Sequence, residues 1–277
     1  MRVRVLALFF ALLLLQAGPV RAEPPAQSII LASTTSVENS GLLAHILPGF
    51  TRETGITVHV LAQGTGQALK TAARDDADLV LVHDPEAEAR FIAAGDGIDR
   101  RQIAWNDFIV VGPRADPAHL GGGHDAVAAF RAIAAASAPF VSRGDESGTD
   151  ALEKRLWHVT GIDPAASGAG TWYRDIGGGM GAALNAAAAM DAYTLSDRGT
   201  WLSFQNKRSL AVLIEGDTRL INRYDVILLN PAKHPVPKQA AAKVFADWLL
   251  SPEGQAAIGA YQVAGEQLFH PSAKAPK

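Results

Sequence analysis

Apolar runs of strand length alternate with stretches of helical period along most of this chain. Ser28-Ile29-Ile30-Leu31-Ala32 runs into Ser33-Thr34-Thr35-Ser36, and Leu42, Leu43, Ile46, Leu47 and Phe50 then recur at helical spacing until Gly55. The pattern predicts a second strand over 56–62, a helix over 67–74, a third strand over 78–83, a helix over 85–93 and a fourth strand over 105–112. A second series predicts helix 127–136, strand 139–141, helix 147–160, a small-residue loop at 165–170 and an alanine-rich helix up to Met190. A strand over 191–195 and a helix opened by Ser196-Asp197-Arg198-Gly199-Thr200 follow. Strands over 210–214 and 224–229, the second a return to the first lobe, precede helices over 238–250 and 252–260. This rhythm predicts an α/β fold of two lobes, each a mostly parallel sheet flanked by helices, with a hinged cleft between them. One lobe takes 23–111 and 215–277, the other 112–214.

Residues 1–22 lie apart from that rhythm. Arg2 and Arg4 precede an unbroken apolar run from Val5 to Leu15, and Val20-Arg21-Ala22 offers small residues for cleavage. This is the pattern of a secretory signal peptide, with an apolar run too short for a membrane anchor. A Gram-negative periplasm is the expected address. The chain has no cysteine, which excludes a lipid-modified cysteine, disulfides, thiol catalysis and Cys-ligated metal. The formal charge of −3 falls to about −6 once Arg2, Arg4 and Arg21 leave with the leader. Such a surface argues against nucleic acid and requires that any anion be caught by local donors.

The predicted strand ends carry those donors. Ser33 to Ser36, Gly64-Thr65-Gly66, Arg143 to Thr149 and Thr194 to Arg198 all follow strands, and all bear hydroxyls, glycines or arginine. The richest is Arg143-Gly144-Asp145-Glu146-Ser147-Gly148-Thr149-Asp150, at a strand-to-helix junction. It offers a guanidinium, two hydroxyls and the open amides of a helix start, an arrangement suited to an anion. A plain capped helix start uses the same residue types. Asp145, Glu146 and Asp197 could accept the proton of a hydrogen phosphate, which keeps a phosphate receptor as an alternative, with a sulfate-type oxyanion receptor beside it; charge compensation at helix starts is the preferred reading of these acids.

Other chemistries fit less well. In Gly64-Thr65-Gly66-Gln67-Ala68-Leu69-Lys70-Thr71, Leu69 stands where a nucleotide-binding loop needs glycine before the lysine. The glycines at 177–181 do not form G-x-G-x-x-G, and either make a turn or an amide nest lining the cleft. Ser147 lacks the first glycine of G-x-S-x-G, so an exported serine hydrolase is the remote alternative. His119 and His124 flank three glycines in what reads as a surface turn, and HExxH is absent. Met180 and the tryptophans are expected in the core.

Taken in order, the segments resemble the periplasmic tungstate-binding proteins of ABC importers. The resemblance rests on Thr34-Thr35-Ser36 with Ser40-Gly41-Leu42-Leu43, Gly64 to Leu69, Asp78 to His83, Trp105-Asn106-Asp107-Phe108, Val111-Gly112-Pro113 and Arg143 to Thr149. Gly179-Met180-Gly181, Tyr193 to Thr200 and Asn230-Pro231 extend it over nearly the whole mature chain. It implies a type II periplasmic-binding-protein fold, no catalysis and no cofactor. The expected ligand is one tungstate or molybdate oxyanion, held by hydrogen bonds without cation ligation. An ABC permease with its ATPase is the implied partner, and the chain is expected to be a monomer. Arg143 and Thr149 are implied ligands, with Thr34 or Thr35, Thr65, Ser147 and Thr194 completing the candidate set. The first loop reads Ser33-Thr34-Thr35-Ser36-Val37, with Ser and Val at ends where Thr is expected, so which of its hydroxyls meets the ion stays open.

Overall fold

Three parallel strands start the fold of this protein, seen in a computed structural model that describes residues 27–168, 170–235 and 238–272. The expected leader, 1–22, lies outside the described residues. In chain order the first lobe opens with β1 (Ser28–Thr34), α1 (Thr35–Asn39), α2 (Leu42–Thr54), β2 (Thr57–Gln63), α3 (Thr65–Ala72), β3 (Leu79–Val82) and α4 (Pro85–Ala93). Strand β4 (Gly97–Pro113) then carries the chain across. The second lobe holds α5 (Ala126–Ala135), β5 (Phe140–Ser142), α6 (Gly148–Thr160), α7 (Pro164–Gly168), β6 (Tyr173–Asp175) and α8 (Met180–Met190). It continues through β7 (Thr194–Asp197), α9 (Arg198–Ser203) and β8 (Leu210–Ile214), after which β9 (Ile221–Leu229), α10 (Gln239–Trp248) and α11 (Pro252–Ala260) return to the first.

Strand β4 shows where one lobe gives way to the other. From Gly97 to Asp107 it pairs with β9, whereas from Phe108 to Val111 it pairs with β7, and β8 takes Val110 to Pro113. The first sheet therefore runs β2-β1-β3-β9-β4. Its β1–β2 and β1–β3 ladders are parallel, as is β5–β6 in the second lobe. The ladders β3–β9, β4–β9, β4–β7 and β4–β8 are antiparallel. The expectation of mostly parallel sheets thus gives way to mixed ones. The reason is topological: β4 leaves the first lobe and β9 re-enters it, so the two run in opposite directions side by side.

Side chains pack on both faces of the first sheet. Leu42, Leu43, Ile46 and Phe50 of α2 meet Phe245 and Trp248 of α10 on one face; Leu69 and Phe91 cover the other. The second lobe centres on Phe130, Phe140, Trp157, Trp172, Tyr173 and Tyr193. Met180 and the tryptophans at 157, 172, 201 and 248 are buried as expected, and Trp105 stacks on His270 at 4.2 Å.

Three local expectations are corrected. Strand β4 begins eight residues before Trp105, at Gly97, because β9 supplies a ladder for the polar stretch Asp99 to Gln102, which lacks strand alternation. The expected loop 165–170 contains α7, started by Asp163, whose Oδ1 accepts the Ala165 and Ala166 N–H groups at 3.0 and 3.1 Å. Asp191 ends α8 as a left-handed cap at φ 49°, which delays β7 to Thr194 and moves the next helix start to Arg198.

Candidate functional site

Each of the three parallel strands of the first lobe ends where a helix begins. Thr34 lies beside Gln63 in register, and Ser33 beside Leu81, so the loops after β1, β2 and β3 share one edge of the sheet. Ligands of open α/β sheets gather at such carboxyl ends. Thr34 is buried and caps α1, its Oγ1 accepting the Val37 N–H at 3.1 Å. Thr35 is exposed, whereas Thr65, at the first position of α3, is buried. The cap of α3 is Gly64, which has no side chain to occupy the helix's first amides.

In the second lobe Arg143 follows directly on β5, and its side chain is 6% exposed. Its Nη1 donates to Thr149 Oγ1 at 3.2 Å and its Nε to Asp145 Oδ2 at 3.2 Å, with Nη2 on the same carboxylate oxygen. Ser147 caps α6, its Oγ accepting the Asp150 N–H at 3.2 Å. Gly144 sits at φ +61°, and a Cβ there would collide with the Asp175 carboxylate. The Gly178 N–H donates to the Arg143 carbonyl at 2.9 Å, which brings the glycine-capped start of α8 to the same loop. Two helices, α6 and α8, therefore direct their amino ends toward the Arg143 segment, and their partial positive charge favours an anion.

Gly148 joins the two halves. A Cβ on it would lie 2.9 Å from Cε1 of His83, so the first turn of α6 lies against the loop after β3. Arg155 of α6 also faces Asp84 and Glu86 at the start of α4, each at 3.9 Å. His83 in turn reaches Thr34 Oγ1 with Nε2 and Asn222 Oδ1 with Nδ1, both at 3.1 Å. Burial holds its imidazole below the ordinary value of 6.5; Asp197 and Asp84 oppose that shift, and Arg143 adds to it. Thr34, His83, Gly148, Arg143 and Asp197 thus occupy one neighbourhood contributed by both lobes.

Of the candidate residues, Thr34, Arg143, Ser147 and Thr149 are tied to this neighbourhood by hydrogen bonds, and Thr35 and Thr65 by their places just after the strand ends. Thr194 stands apart. It begins β7 opposite Val111, buried, with its hydroxyl 3.5 Å from the Leu195 carbonyl, while Asp197 occupies the carboxyl end of that strand. The acidic residues serve local needs: Asp145 pairs with Arg143, Asp150 with Lys154, and Asp197 caps α9 through the Thr200 N–H. Sequence reasoning did not single out His83, Asn106, Asn222 and Tyr224. Asn222 Nδ2 donates to Asn106 Oδ1 at 2.9 Å and to the Tyr224 hydroxyl at 2.7 Å, so these form a buried polar support behind Thr34. His83 follows a strand end and could have been found by that rule; Asn222, 139 residues away from it, has no local signal.

Among the described residues no cluster of three His, Cys, Asp or Glu could hold a metal ion, and no helix is long and apolar enough to cross a membrane. The family model of the PBP superfamily domain matches residues 19–253. The tungstate-binding protein TupA of Peptoclostridium acidaminophilum is 45% identical over 260 residues, 92% of this chain and 90% of that protein. Two solved structures are similar: the tungstate-binding protein TupA of Desulfovibrio alaskensis has a TM-score of 0.82 and 42% identity, over 89% of this chain and 99% of that one. The tungstate ABC transporter structure from Geobacter sulfurreducens has a TM-score of 0.75 and 40% identity, over 84% and 98% of the two chains. The chain belongs to the PBP superfamily and, within it, to the family of tungstate-binding solute-binding proteins of ABC transporters.

Proposed function

We propose that this chain is a periplasmic receptor that captures tungstate, and also molybdate, between its lobes and delivers it to an ABC permease with its ATPase. The observation that carries this reading is the contact of Gly148 with His83, which sets the Arg143 loop of one lobe against the hydroxyl-bearing strand ends of the other. A tetrahedral dianion offers only acceptors, and this neighbourhood offers hydroxyls, helix-start amides and one guanidinium. Thr34, Thr35, Thr65, Arg143, Ser147, Thr149 and Thr194 are its proposed ligands, Thr194 having the weakest geometric support. The lobes are 23–111 with 215–277, and 112–214; the switch of β4 partners after Asp107 and the re-entry of the chain at Ile221 support that division. The receptor acts as a monomer, without cofactor and without catalysis, and Ser147 Oγ is occupied as a helix cap.

Tungstate at about a hundred times its Kd should stabilise the native state by about 2.7 kcal/mol. Sulfate and phosphate should do less, since each unmade buried hydrogen bond costs about 1–3 kcal/mol. Melting curves with the four oxyanions and competitive calorimetry test this. Curves that stay fixed with all four overturn the reading. Closure contributes as well: Arg155→Ala is expected to weaken tungstate binding only about two- to fivefold, the scale of an exposed ion pair, and the loss should shrink in high salt. A loss unaffected by salt would count against an electrostatic latch.

A further inference from the structure

Building on that oxyanion reading, we propose that His83 is a positioning residue of the cleft and takes up one proton when a dianion binds, because only then can the Thr34 hydroxyl donate to the guest. A threonine hydroxyl has one proton to give and two lone pairs. At Thr34 one lone pair accepts the Val37 N–H at 3.1 Å, and the oxygen stands 3.1 Å from His83 Nε2. The other ring nitrogen, Nδ1, faces Asn222 Oδ1 at 3.1 Å. The Asn222 amide nitrogen is engaged by Asn106 Oδ1 and the Tyr224 hydroxyl, so its oxygen is the atom turned to His83 and Nδ1 carries a hydrogen.

A neutral ring then has a bare Nε2, which takes the only Thr34 proton. In that state the hydroxyl shows the cleft a lone pair, which repels a fully deprotonated guest. When Nε2 gains a proton from solvent the bond reverses: Nε2–H donates to Thr34 Oγ1, and the hydroxyl hydrogen turns to the anion. One proton enters at one nitrogen, and no other covalent bond changes.

The surroundings favour this coupling. His83 is faced by Asp84 at the start of α4, Asp197 at the end of β7 and Arg143 after β5, with the Tyr224 ring of β9 packed on it at 5.1 Å. Gly148 of α6 closes over its edge. Burial, with Arg143, disfavours a proton on the ring against the two carboxylates and the Asn222 oxygen. A dianion beside Arg143 offsets that cation and adds negative charge of its own, so it raises the affinity of His83 for a proton. By reciprocity a proton on His83 tightens the anion.

The sign follows from linkage. The pKa is below 6.5 without ligand and higher with it, so affinity is greatest at low pH and weakens by up to tenfold per pH unit between the two values. Calorimetry of the mature protein with sodium tungstate, in buffers of differing ionisation heat between about pH 6 and about pH 8, should show uptake approaching one proton. Nitrogen NMR of the His83 ring should report Nδ1–H alone without tungstate and both N–H groups with it. His83→Gln, which cannot titrate, should lose the uptake and flatten the pH profile while affinity falls by no more than about tenfold. A ring that stays neutral in the loaded protein, or uptake that persists in His83→Gln, overturns the role of His83. Wild-type protein that binds tungstate with no proton uptake overturns this inference alone; protein that binds none overturns the oxyanion reading and this inference with it.

Discussion

Arg143→Ala should weaken tungstate binding by about a hundredfold while leaving the fold intact. The guanidinium is the one cation among the proposed ligands, and its side chain is only 6% exposed. Its donors point at Thr149 and Asp145, so neighbouring side chains orient the fork. Truncating one partner of a buried, charge-assisted pair costs about 2–5 kcal/mol, and about 2.7 kcal/mol corresponds to a hundredfold. Stability should change less, because Asp145 is 21% exposed and can turn to water once its partner is gone. Arg143→Lys should fall between, at about tenfold, since it keeps the charge and loses the planar fork. Calorimetry with both variants, alongside their melting temperatures, separates the two effects. Retention of wild-type affinity within about threefold in Arg143→Ala would remove this residue from the site.

The Arg143 loop could be read from sequence because its meaning is local: a short apolar run, then glycine, hydroxyls and an acidic residue opening a helix. The loops after β1 and β2 were readable for the same reason. Long-range pairing was harder to see. The polar half of β4 forms a strand only because β9, more than a hundred residues later, lies beside it with Arg101 opposite Val226. The helical turn at Pro164 was hidden by small residues, although Asp163-Pro164 is a recognisable helix start. Thr194 entered the candidate set through its family motif, and the left-handed turn at Asp191 shifts the strand so that Asp197 reaches the end instead. His83 closes a strand-end motif, yet its partners come from β1 and β9, and no spacing along the chain could assemble them.

Buried acids make the second large effect one of pH. Glu153 lies one helical turn after Asp150 in α6, with Oε1 accepting the Tyr173 hydroxyl at 2.9 Å and the Trp157 N–H at 3.1 Å. Burial pushes its carboxyl from 4.5 up to about 8, Asp150 adds to the rise, and hydrogen bonds from Ser142, Tyr173 and Trp157 oppose it. Glu88 follows the same logic: burial and the neighbouring Asp225 carboxylate raise it to about 9 against the pull of Arg100. An acid whose pKa rises on folding contributes stability that is complete below its unfolded value and is lost as pH climbs through the folded one. For Glu153 the gap between 4.5 and about 8 corresponds to roughly 5 kcal/mol lost across that window. On the acid side the sign reverses. Asp125, held down by the Ala128 N–H and Arg219, and Asp247, held down by Lys243 and Arg101, lose their contributions as pH falls through their depressed values. The native state should therefore be most stable in mildly acidic solution.

Glu153→Gln isolates one of these effects. The amide keeps an acceptor for Tyr173 and Trp157 and cannot ionise, and the buried Ser142 hydroxyl beside it can receive its N–H. Denaturant midpoints should match wild type near about pH 5 and exceed it near about pH 8.5, with the variant gaining a few kcal/mol at the higher pH. Parallel stability curves for wild type and Glu153→Gln from about pH 5 to about pH 8.5 would show that Glu153 is not held neutral in the native state.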